Sequence, residues 1–217
     1  GYGIANVYYQ DLAPDKDDDF YSGLGRYCTR NRFISWGKIA MWAWAGSRIM
    51  DYLETLEFIN HDKVAVIGHS RLGKTALLCG AMDERFSLVV SNNSGAGGAA
   101  LFRGKTGETI RDLSGKGSNH WFCGNFFNYI DQEEKLPFDQ HFLLSLVAPR
   151  NLYIASASED DWADPYSEIL TCAASNPVYD LYDEEGIVTK NNKPEVNEYF
   201  HDVKTGDHLR QGTHYLS

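Results

Sequence analysis

Lys63-Val64-Ala65-Val66-Ile67-Gly68-His69-Ser70-Arg71-Leu72-Gly73-Lys74 joins a short continuous apolar run to a serine and then to a helix-forming stretch without a gap. Lys63 to Gly68 reads as a short continuous apolar run expected of a central parallel strand, and Arg71 to Met82 suits a helix. A strand, a sharp turn and a helix in that order put the serine hydroxyl on an exposed bend, beside helix N-terminal amides that can face an oxyanion. The spacing departs from G-x-S-x-G, because Leu72 stands where the second glycine is expected and Gly73 comes one residue late. The competing role for such a serine is a plain helix N-cap.

Working outward, Leu88-Val89-Val90 reads as the next strand, closes a β-α-β unit and leads into the glycine-rich Ser94-Gly95-Ala96-Gly97-Gly98 loop. Upstream, Trp36, Ile39, Ala40, Ala43, Met50 and Leu53 recur at helical spacing and predict a long helix between Ile34 and Phe58. Gly1-Tyr2-Gly3 followed by Ile4, Ala5, Val7 and Tyr8 reads as a buried strand, and the polar run Asp11 to Asp19 as a loop. Downstream, an irregular region runs to Phe138. It is followed by a helix over Asp139 to Leu146, stopped by Pro149, and by a last clear strand at Asn151-Leu152-Tyr153-Ile154-Ala155. The charged segment Asp183 to Glu198 reads as a loop. The alternation predicts one α/β domain over residues 1–217 with a mostly parallel sheet.

Composition narrows the function classes. An apolar fraction of 43% with 13% aromatics belongs to a chain that folds, not to a disordered one. A net charge of −10 argues against nucleic acid as partner, since phosphate binding needs a basic face. No run approaches the roughly 18 apolar residues of a membrane span, and the first residues lack the pattern of a secretory signal. Cys28, Cys79, Cys123 and Cys172 form no C-x-x-C pair, so neither a zinc site nor a dense disulfide framework is expected, and all four are expected as buried thiols.

A serine hydroxyl is a poor nucleophile at neutral pH and needs a histidine base, usually oriented by a carboxylate. The order serine, acid, histidine is that of an α/β-hydrolase, a three-layer sandwich. Of seven histidines, only His201, His208 and His214 follow the last clear strand, and His214 in Gly212-Thr213-His214 is the expected base. His208 reads as structural or substrate-side, and His61, His69, His120 and His141 as structural or rim residues. Asp160 follows the Asn151 strand, where the acid is expected, with Asp161 and Asp164 as competitors. Their other reading is loop capping. The spacing of a calcium loop is missing, and no metal or cofactor is expected.

Seven stretches in order resemble the glucuronoyl esterases, carbohydrate esterase family 15, with the bacterial branch the nearer match. They are Gly68-His69-Ser70-Arg71-Leu72-Gly73-Lys74, Ser94-Gly95-Ala96-Gly97-Gly98, Gly107-Glu108, His120-Trp121-Phe122, Asp139-Gln140-His141 with Ala148-Pro149-Arg150, Asp160-Asp161-Trp162-Ala163-Asp164-Pro165, and Gly212-Thr213-His214. The resemblance implies hydrolysis of the ester between 4-O-methyl-glucuronic acid on xylan and an alcohol of lignin. It assigns Ser70 as nucleophile, His214 as base and Arg71 as oxyanion donor, with Lys74, Glu108 and Trp162 on the sugar. Fungal members carry their acid as a glutamate where this chain has Asn93, which moves the acid to Asp160. Their cysteine pair falls on His69 and Tyr215 here, so that disulfide is not expected. The family has strands before the segment that begins at Gly1 and a helix after the histidine, so the chain reads as a fragment. Action outside the cell or in the periplasm is implied by the polymeric substrate, and a monomer is expected. Other readings are an acetyl-xylan or other carbohydrate esterase, and a non-catalytic carbohydrate-binding relative.

Overall fold

The computed structural model describes residues 1–18, 20–28, 30–104, 106–188 and 194–215. Its sheet is built from β1 (Val64–His69), β2 (Phe86–Asn92), β3 (Asn151–Ala157), β4 (Tyr199–Phe200) and β5 (Thr205–Arg210), in the order β1-β2-β3-β5-β4. The pairs β1·β2, β2·β3 and β3·β5 are parallel, and β4 is antiparallel to β5. The helices are α1 (Tyr9–Leu12), α2 (Lys38–Leu53), α3 (Arg71–Met82), α4 (Ile110–Leu113), α5 (Gln140–Ser145) and α6 (Pro165–Asp180).

The strand, turn and helix around Ser70 fall where the apolar run requires them. Ala43 and Met50 of α2 and Cys79 of α3 pack with Phe86 of β2, while Leu77, Val89, Leu144, Leu152, Ile154 and Cys172 join α3, α5 and α6 to β2 and β3. α3 lies close on the sheet because glycines stand at its contact points: a Cβ at Gly80 would collide with Val89, and one at Gly73 would lie 2.9 Å from Cβ of Ser94. The late glycine of the serine motif is therefore a helix-to-strand contact.

Several expectations are corrected. Residues 1–8 form no strand and are largely exposed, with Tyr2 and Ile4 open to solvent; among the described residues no strand lies beside them to pair. The helix expected between Ile34 and Phe58 is confined to Lys38–Leu53, because the amides of Lys38 and Ile39 already bond the carbonyls of His120 and Trp121. β1 is not central: it stands at one end of the strand order among the described residues, with Ala65 and Ile67 exposed. Asn151 does not open the last strand, since β5 follows and carries His208. α6 was not foreseen. Cys28 is exposed and Cys123 half-buried; only Cys79 and Cys172 are buried thiols, and all four are free. Of the loop read over Asp183 to Glu198, residues 189–193 lie outside the described residues, and the rest has no regular structure. Among the described residues no helix is long and apolar enough to cross a membrane.

Candidate active site

The carboxyl ends of parallel strands are where open α/β sheets expose side chains from successive loops. Ser70 follows β1, Asn93 follows β2, Asp160 follows β3 and His214 follows β5, so four strand ends converge. Ser70 holds φ 57° and ψ −126°, a left-handed conformation unusual for a residue with a side chain. A Cβ at Gly68 would overlap the Leu72 carbonyl, which makes glycine obligatory there. Ser70 occupies the N-cap position of α3, yet its side chain makes no capping bond. Its Oγ instead lies 3.0 Å from Nε2 of His214.

His214 Nδ1 lies 2.6 Å from Oδ2 of Asp160. That oxygen also accepts from Asn93 Nδ2 at 2.7 Å, and Oδ1 accepts from the Ala163 amide at 3.2 Å. Burial pushes the Asp160 carboxyl upward, but the bonds from Asn93, His214 and the Ala163 amide outweigh it and hold the group below the usual range. The loop bearing His214 is tied to the Asp160 turn by Glu159 N–H to Gly212 O at 2.9 Å, and Arg210 donates to the Thr213 and Tyr215 carbonyls. Asp161 is exposed. Asp164 caps α6 by accepting from Ser167 N and also accepts from Thr106 N, so Asp160 alone of the three carboxylates meets His214.

The remaining expected residues are arranged as follows. Arg71, the first residue of α3, extends over Trp121 with its guanidinium 5.0 Å from the ring centroid and pairs with Asp15. Lys74 is only 3% exposed and directs Nζ at the carbonyls of Ser94 and Ala96 and, at 2.9 Å, at Glu108. With three acceptors on three protons, it holds Glu108 in place, where the resemblance had it touching the sugar itself. Glu108 donates its amide to the Trp162 carbonyl at 2.9 Å; the turn needs Gly107, whose φ is +76° and whose Cβ would strike Asp161 and Trp162. Trp162 is 54% exposed and not a core residue. His208 packs against Tyr199 on the sheet edge.

Three contributors escaped the sequence reading. Asn93 donates to the acid. His69, read as structural or rim, lays its ring 4.8 Å from that of His214, with Nδ1 2.9 Å from Asn92 Nδ2. Burial first, then its electrostatic coupling to His214 and Arg210, lowers its pKa. Behind the site, Glu168 of α6 accepts the amides of Ser94 and Gly95 at 2.8 Å and the Ser156 hydroxyl at 2.6 Å, fixing the glycine-rich loop. Asp207 of β5 is fully buried, and neither of its oxygens has a hydrogen-bond partner among the described residues; burial and the charge of Glu168 raise its pKa strongly. Among the described residues no group of three or more His, Cys, Asp or Glu is arranged to hold a metal ion.

A parallel sheet with a serine on a strained strand-to-helix turn, and a histidine and an aspartate bonded to it in series from later strand ends, defines the α/β-hydrolase class. Within that class the chain matches the sequence model described as "Glucuronyl esterase, fungi" over residues 3–183, and it belongs to the glucuronoyl esterase family. It is 46% identical to Carbohydrate esterase MZ0003 of an unknown prokaryotic organism, over 99% of this chain and 50% of that protein. To 4-O-methyl-glucuronoyl methylesterase 1 of Wolfiporia cocos it is 34% identical, over 82% of this chain and 46% of that one. It superposes on the solved structure of a promiscuous esterase of carbohydrate esterase family 15 from a marine bacterial metagenome, with TM-score 0.86 and 46% identity, over 95% of this chain and 52% of the other. The chain thus spans about half the length of the curated relatives it matches.

Proposed function

We propose that the protein is a serine esterase cleaving the ester between 4-O-methyl-glucuronic acid of xylan and an alcohol of lignin through an acyl-enzyme. The observation that carries this reading is the continuous chain from Ser70 Oγ to His214 Nε2 at 3.0 Å and from His214 Nδ1 to Asp160 at 2.6 Å. Ser70 Oγ adds to the ester carbonyl while its proton passes to His214 Nε2, and Asp160 stabilises the imidazolium that forms. Arg71 donates to the developing oxyanion. His214 then returns the proton to the departing alcohol, leaving a glucuronoyl ester on Ser70. Water repeats the sequence and frees the acid. Glu108, held by Lys74, accepts sugar hydroxyls, and the exposed Trp162 offers a face and an indole N–H to the uronate. Neither a metal nor a cofactor enters these steps. The enzyme works as a monomer outside the cytoplasm, where the polymer is.

The family and the 34% identity to 4-O-methyl-glucuronoyl methylesterase 1 of Wolfiporia cocos support a uronate ester as substrate. A broader esterase activity, acetylated xylan included, is the second reading, favoured by the 46% identity to a promiscuous esterase of the same family. Hydrolysis of methyl 4-O-methyl-glucuronate and of acetylated xylan by the full-length protein, side by side, separates the two. Ser70→Ala and His214→Ala are expected to abolish turnover with the fold retained. Turnover at the wild-type rate in either variant overturns the mechanism, and xylan binding without turnover by the wild type makes the protein a carbohydrate-binding relative.

A further inference from the structure

Asp15 lies in a stretch the sequence marks only as a polar loop, yet its side chain is 95% buried and receives donors from three separate parts of the chain. His120 Nε2 approaches Oδ1 at 2.7 Å and Trp121 Nε1 at 2.8 Å. Arg71 Nη1 bonds Oδ2, and the Tyr9 hydroxyl reaches the same oxygen at 3.1 Å. The backbone around Asp15 is itself pinned. Lys38, the fully buried first residue of α2, directs Nζ at the carbonyls of Pro14 and, at 2.7 Å, Lys16. One turn on, Trp42 Nε1 donates to the Ala13 carbonyl at 2.8 Å. The same helix end bonds the carbonyls of His120 and Trp121, and a Cβ at Gly37 would strike the latter. The amino end of α2 therefore locks together the loop that carries Asp15 and the loop that carries the indole beneath Arg71.

An arginine beside a nucleophile is half-exposed by need and has many rotamers of similar energy, so its usefulness to an oxyanion depends on being held. Asp15 takes one Nη1 hydrogen of a fork with five N–H groups and fixes its plane over Trp121, leaving the others for a ligand. We propose that Asp15 is a positioning residue of the esterase, holding Arg71 in the orientation from which it stabilises the oxyanion, an inference that rests on the serine-esterase reading above.

The test compares Asp15→Asn, Arg71→Ala and the double variant in the full-length protein, on methyl 4-O-methyl-glucuronate and on 4-nitrophenyl acetate. The rate at which a fluorophosphonate probe labels Ser70 is measured alongside. An amide offers one acceptor where four donors converge, so Asp15→Asn is expected to lower kcat and the labelling rate about 10- to 100-fold. KM on either ester is expected to stay within about twofold. Because both act through one guanidinium, the double variant is expected to be no slower than Arg71→Ala. Additive losses, a change confined to KM, or a wild-type rate in Asp15→Asn overturns the proposal. If Asp15→Asn shows no cooperative thermal transition, Tyr9→Phe replaces it, with a loss of about two- to fivefold that likewise vanishes in the Arg71→Ala background; additivity there is equally fatal. A wild type that labels and cleaves the acetate but leaves the uronate ester intact refutes the substrate reading alone.

Discussion

Replacing Asp160 by asparagine tests the orientation of the base in a way the hydrogen-bond pattern makes quantitative. Two donors, His214 Nδ1 at 2.6 Å and Asn93 Nδ2 at 2.7 Å, converge on Oδ2, whereas Oδ1 receives only the Ala163 amide at 3.2 Å. Asparagine at this position will therefore set its amide oxygen at the Oδ2 site and turn its NH2 toward Ala163, sacrificing the longest of the three bonds. His214 keeps its Nδ1–H tautomer and its contact with Ser70. What disappears is the negative charge facing the imidazolium of the transition state. With charge centres about 4 Å apart and an effective dielectric constant of about 20, that interaction is worth about 4 kcal/mol. The expected loss is then about 10³-fold in kcat/KM, at about 1.4 kcal/mol per decade. Steady-state hydrolysis of 4-nitrophenyl acetate, with circular dichroism to verify the fold, measures it. A loss smaller than about tenfold would mean that Asp160 is not the group that stabilises the imidazolium. A loss of about 10⁴-fold or more would mean that the tautomer had inverted and that the orientation argued from Asn93 is wrong.

Two further expectations concern stability. Lys74→Met removes a buried ammonium from the Glu108 carboxylate and two backbone carbonyls, which should cost about 3–5 kcal/mol in urea unfolding, with partial recovery in Lys74→Met/Glu108→Gln; a cost below about 1 kcal/mol would show that water replaces the ammonium. Asp207, with a raised folded pKa, retains a proton that the unfolded chain releases above its ordinary value of 3.8, so its own contribution to stability falls as pH rises from there by about 1.4 kcal/mol per unit until the folded group also ionises. Asp207→Asn removes that proton, and its stability relative to wild type should climb with pH at the same slope; parallel profiles for the two proteins would refute the shift.

The parts of the fold that were legible are those whose local chemistry allows one answer. The strand, turn and helix of Val64 to Met82 are legible because an apolar run, a serine between Gly68 and Gly73 and a helix former succeed one another, although β1's place in the sheet is not. Apolar residues at Ile4, Val7 and Tyr8 carried the same signal and misled, since period alone does not say whether a partner strand is present. β5 was invisible because Thr205-Gly206-Asp207-His208 is polar, and its burial follows from the strands and helix around it. α6 hides its interior behind Ser175, Asn176 and Pro177, although Asp164-Pro165 is a helix start signal that could have been taken. Ser70, Asp160 and His214 were readable as residue types in a required order. Asn93, His69 and Asp15 were not, because each matters through a neighbour far away in sequence: Asp15 meets Arg71 across 56 residues and Trp121 across 106.

The turn at Ser70 sets two demands on the chain against each other. A side chain held at positive φ costs about 1–3 kcal/mol, a substantial part of the 5–15 kcal/mol by which a domain of this size is stable. Glycine would sit there without strain, so Ser70→Gly should give a more robust protein that does nothing. Selection for durability alone would have erased the hydroxyl, and its persistence on an unfavourable backbone is a trade of stability for chemistry written into a single residue.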